Sequence, residues 1–193
     1  MAKPLPIDGL DPDRRLRPNA RRILATRIGE VWAYGPAVTH PGRVRELHDM
    51  RIACKRLRYL LEIFHVAFPT DLEPFIDEVK GLQDVLGDIH DRDVQIPMLH
   101  EHLARLSARD ALAARGLLRD TRTMPAPVRA EVEFDRFRAQ LLQAGTSAER
   151  PGIQALLDMR MRERDELYER FLADWRRLGS TGFRRRLERA LGL

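Results

Sequence analysis

From Pro18 to Gly35 the apolar positions Ala20, Ile23, Leu24, Ile28, Val31 and Trp32 recur in steps of three and four, the spacing of one helix face, until Gly35 and Pro36 stop the pattern. After a loop holding His40, Pro41 and Gly42, the set Leu47, Met50, Cys54, Leu57, Leu61 and Phe64 repeats the same way and predicts a second, strongly amphipathic helix ending near Pro69. A third helical segment starts around Leu72 to Pro74 with Phe75, Val79, Leu82 and Leu86 on one face, and Gly87 either ends it, kinks it or lets it run on through Ile89, Val94 and Leu99. Further helices are predicted at 100–119, 129–143, 152–178 and 182–191, with a linker at Met124 to Pro127 and a break at Gly179, Ser180 and Thr181. Residues 1–15, with Pro4, Pro6, Gly9 and Pro12, read as an extended lead-in outside the core. No alternating strand pattern occurs. The expected class is all-α, an antiparallel bundle of about six to seven helices in one domain over 16–193, with 16–119 as the motif-bearing half and 128–193 as C-terminal helices.

Composition narrows the partner. The 193 residues are 44% apolar, enough for one ordinary domain with its own core, and 34 cations against 29 anions leave +5, which favours an anionic ligand. Only Lys3, Lys55 and Lys80 are lysines, so the other cations are arginines, whose planar fork grips phosphate or carboxylate in two places. An arginine-rich genome would give the same skew, so position has to decide. The single cysteine, Cys54, excludes an intramolecular disulfide and a cysteine zinc cluster and suits a reducing, cytoplasmic home. Neither a signal peptide nor a membrane span is expected, because no apolar run is long enough.

On the second predicted helix His48, Arg51, Lys55, Arg58 and Glu62 follow steps of three and four and form one stripe beside the apolar face. Like charges in a line repel by a few tenths of a kcal/mol per pair, a penalty that a polyanion lying along them removes. A solvated charged face has the same pattern. In the segment from Lys80 to Asp93, a helix would put Lys80, Gln83, Gly87, His90 and Asp91 on one face, with Gly87 permitting close approach of a neighbour or ligand. The acidic residues Asp88, Asp91 and Asp93 are suited to orient His90 or arginines from other helices. Arg160 and Arg164 would reach the same pocket if their helix packs on the second, as would Arg21 and Arg22 of the first.

Two rival chemistries fit some of these residues. His48, His90 and Asp91 are ordinary divalent-metal ligands, as in all-α phosphohydrolases, although neighbours on a helix diverge by about 100° and each would need partners from elsewhere. The same charge would also serve general nucleic-acid binding, but aromatics are few and are not interleaved with the basic stripe, so stacking platforms are poorly supplied. His40, His65, His100 and His102 have no comparable setting.

The string from His48 to Leu60, followed by that from Leu82 to Val94, resembles the CHAD family, the conserved histidine α-helical domain, over most of residues 18–103. The resemblance implies a helical bundle that binds inorganic polyphosphate in a basic groove without catalysis or cofactor, often beside triphosphate- or polyphosphate-processing enzymes, with granule association following from the ligand. It carries the basic positions onto His48, Arg51, Lys55, Arg56 and Arg58, and the acidic-histidine segment onto Asp88, His90, Asp91 and Asp93. Longer members hold two pseudo-symmetric bundles, whereas this chain has one copy of the basic string; a homodimer would restore a two-sided groove, and a smaller single-bundle site is the alternative.

Overall fold

The computed structural model describes residues 3–13, 15–121 and 149–193, and among them no strand is present. Among the described residues the α-helices are α1 (Leu16–Ala33), α2 (Val44–Phe64), α3 (Glu73–Thr121), α4 (Glu149–Ser180) and α5 (Phe183–Leu191), with short 3-10 turns at Ala37–Thr39 and His65–Ala67. The all-α class is as expected. The helix predicted at 129–143 and the linker at Met124 to Pro127 lie outside the described residues.

Periodicity places the boundaries of α1, α4 and α5 within two or three residues, whereas α2, expected to end near Pro69, stops at Phe64 and passes into the 3-10 turn. The third segment runs on through Gly87, one of the alternatives left open, and differs in that α3 is one unbroken helix of 49 residues that also absorbs the separate helix expected at 100–119. Gly87 retains its amide and has no positive φ, so the hydrogen-bond ladder continues through it. Pro97 also lies inside α3, at an exposed position, and removes the donor that would reach the Asp93 carbonyl one turn earlier.

Two compact units follow from the contacts, residues 1–93 with 164–193, and residues 94–163. In the first, Leu24, Ile28 and Val31 of α1, Met50, Cys54, Leu57 and Leu61 of α2 and Leu82, Leu86 and Ile89 of α3 are buried in one core with Phe171 of α4 and Phe183 and Leu187 of α5. Each such side chain contributes about 1.5–3 kcal/mol on burial. Trp32 stacks on Phe183 at 5.8 Å between ring centroids and meets Trp175 at 5.5 Å, which fixes α1 against α4 and α5. In the second unit Leu106 and Leu157 are buried.

Residues 3–11 have no regular secondary structure, yet they are pinned to α1. The Leu5 amide donates to the Glu30 carboxylate and its carbonyl accepts from Arg27 Nη1 at 3.0 Å. Further on, Asn19 Nδ2 donates to the Asp11 carbonyl at 2.6 Å.

Candidate functional site

With Met50, Cys54, Leu57 and Leu61 committed to the core, helix geometry leaves two polar flanks on α2. One meets α1 and the other meets α3. On the α3 side the His48 and His90 rings lie 4.4 Å apart, tilted by 41°. One turn before His90, Gly87 lets Arg51 lie close: a Cβ added at Gly87 would sit 3.5 Å from Arg51 Nε. Arg58, two turns beyond Arg51, forms an ion pair with Glu62 at 3.3 Å.

Four polar atoms in this region are shut off from solvent with no hydrogen-bond partner: His48 Nδ1, Arg51 Nε, Arg58 Nε and Gln83 Oε1. The Arg58 to Glu62 contact is therefore charge attraction without hydrogen-bond alignment. A buried polar group left unsatisfied costs about 1–3 kcal/mol, and a cluster of three donors on one flank is a place where an acceptor-bearing ligand is favoured. Burial pushes the His48 pKa down, and the neighbouring His90 and Arg51 push it further while Asp49 opposes them. Its ring is thus largely uncharged at neutral pH, and the positive charge of the stripe comes from Arg51, Lys55 and Arg58.

Lys55 is exposed, with its ammonium 5.7 Å from the centroid of the Tyr59 ring, and the Arg58 guanidinium lies 4.6 Å from the same centroid. Tyr59 is the residue that the reading of the sequence passed over. The signal was present, since it follows Arg58 directly and stands four residues after Lys55. Lys80, Asp88 and Asp91 are exposed on α3. Among the described residues neither Asp88 nor Asp91 pairs with a cation, so neither orients His90 as expected, because both point to water rather than into the α2 contact.

Five of the expected cations are placed elsewhere. Arg56 turns to the α1 flank, where it donates to Glu30 at 3.3 Å beside the buried Arg27–Glu30 pair of 2.6 Å and helps line a recess of about 140 Å³ with Lys3, Tyr34 and Ala53. Arg21 donates to the Leu191 carbonyl at 2.8 Å at the end of α5, and Arg22 is exposed on α1. Arg164 is buried, with Nε on Asp93 at 3.0 Å and Nη2 on the Pro41 carbonyl at 2.5 Å. Asp93 therefore does orient an arginine, and that arginine serves as a clamp. Arg160 belongs to the other unit and pairs with Glu163 at 2.7 Å.

Among the described residues no three His, Cys, Asp or Glu side chains come together to hold one metal ion. No described helix is long and apolar enough to cross a membrane. A family model described as CHAD domain matches residues 2–100, a little over half of the chain, and this span contains the whole α2 stripe and its contacts on α3. No curated protein and no solved structure matches.

Proposed function

The chain belongs to the CHAD family, and from that premise we propose that it binds inorganic polyphosphate along α2, as a non-catalytic module in the cytoplasm that works beside enzymes making or cleaving such chains. The carrying observation is the group of buried nitrogens without a hydrogen-bond partner, His48 Nδ1, Arg51 Nε and the Arg58 Nε that only an ion pair with Glu62 answers, on the one flank of α2 where Gly87 leaves room. These donors and Lys55 extend over ten residues, about 15 Å of helix, so they suit a linear anion better than a single phosphate. Lys80, Gln83 and His90 of α3 complete the contact surface in this reading.

Titration of metal-free protein with long-chain polyphosphate at two salt concentrations tests it, with free phosphate assayed in the same samples after Mg²⁺ or Mn²⁺ is added. Binding that weakens at the higher salt, without phosphate release, is expected. Absence of binding at both salts overturns the reading, and metal-dependent release replaces it with hydrolysis.

A further inference from the structure

The solvent side of α2 carries a second feature that inorganic phosphate does not use. Tyr59 is 42% exposed and Ile63 63%, four residues apart on one face of α2, and Val66 in the 3-10 turn that follows is 72% exposed. Large apolar side chains in a row, one of them aromatic, form a shelf that water covers poorly. It is continuous with the charge: Arg58 and Lys55 both lie against the Tyr59 ring, so any group stacked on this ring has two cations within reach. From Arg58 back to Arg51 is seven residues, about 10 Å of helix, the scale of a short phosphate chain.

We propose that the Tyr59 and Ile63 shelf takes the base of a nucleoside polyphosphate whose phosphate chain runs along Arg58, Lys55 and Arg51. This rests on the polyanion reading of the stripe and adds a ligand class to it. Charge complementarity selects the occupant: an apolar peptide would leave Lys55 unanswered, and a bare phosphate chain would leave the shelf wet. A base offers a π-face to Tyr59 and to the Arg58 guanidinium, while its phosphates meet the cations.

The experiment is a calorimetric comparison of adenosine triphosphate with inorganic tripolyphosphate, both metal-free, at one moderate salt concentration, with long-chain polyphosphate as the reference. Tripolyphosphate has the same number of phosphates and more charge, so electrostatics alone makes it the tighter ligand. Stacking reverses that order, and the nucleotide is expected to bind about tenfold more tightly. Tyr59→Ala should abolish the preference, so that tripolyphosphate becomes the tighter ligand, and Tyr59→Phe should restore it; circular dichroism confirms that each variant is folded. The proposal is overturned if tripolyphosphate binds as tightly as the nucleotide, or if the nucleotide preference survives in Tyr59→Ala; in both cases the polyanion reading stands. Failure of all three ligands to bind overturns the polyanion reading and this one with it.

Discussion

Arg164 illustrates how an arginine can look like a ligand contact in the sequence and be structural in the fold. Its side chain and that of Asp93 are 10% and 9% exposed, so each charge depends on the other, and the Pro41 carbonyl takes a second nitrogen of the fork. Arg164→Ala leaves a buried carboxylate without its partner and should cost about 3–5 kcal/mol in urea unfolding. Polyphosphate affinity measured well below the unfolding transition should not change; a selective loss of affinity would return Arg164 to the binding surface. Cys54 is fully buried, and burial pushes its thiol up from 9.0 to about 12. The native protein should resist thiol reagents at pH 8 and react only on unfolding. Because the folded pKa lies above the unfolded one, the linked stability is complete below pH 9 and is lost as pH rises towards 12; Cys54→Ala should flatten that alkaline decline in thermal melts. Residue spacing alone made His48, Arg51, Lys55 and Arg58 legible. It also spoke against Arg56, which is one residue, or about 100°, away from Lys55; only the resemblance placed it on the stripe, and Glu30 draws it to α1. The positions of Arg21, Arg22, Arg160 and Arg164 depended on which helices meet, which no single-helix pattern contains.

At the scale of the element, α3 carries the largest difference between sequence and structure. Gly87 left continuity open in the sequence and Pro97 is a second helix-weakening residue, but a helix packed through Val79, Leu82, Leu86 and Ile89 is held by tertiary burial more than by propensity. The apolar face ends where packing ends: Ile89 is fully buried and Val94 is exposed, although both belong to the same periodic set. Gly87 then gives a two-way test of whether Arg51 needs its close approach to α3. Alanine adds only a Cβ at ordinary contact distance from Arg51 Nε, and it should stabilise the helix by about 0.5–1 kcal/mol with polyphosphate binding retained. Leucine extends further into the space of the guanidinium and should weaken polyphosphate binding at least fivefold while the protein remains folded. Unchanged affinity in Gly87→Leu would show that the seating of Arg51 against α3 is irrelevant to the ligand.

For the molecule as a whole, a net charge of +5 does not by itself locate a binding face, because many cations are already answered. Arg177 and Arg186 share Glu78, Arg184 pairs with Glu188, and Arg27 and Arg56 share Glu30. An arginine already paired with a carboxylate neutralises little of an arriving polyanion and releases few of its condensed counterions, whereas Arg51 and Lys55, which have no ion pair among the described residues, contribute their full share. The salt dependence of polyphosphate affinity therefore separates the α2 stripe from the general surface. Arg51→Ala with Lys55→Ala should flatten the slope of log affinity against log salt by about 0.7 per charge, if a flexible polyanion behaves like a single strand. Arg177→Ala with Arg184→Ala removes the same formal charge from α4 and α5 and should leave the slope nearly unchanged. Equal flattening by the two double variants would mean that the ligand responds to overall charge, and the alignment of cations along α2 would then carry no specificity.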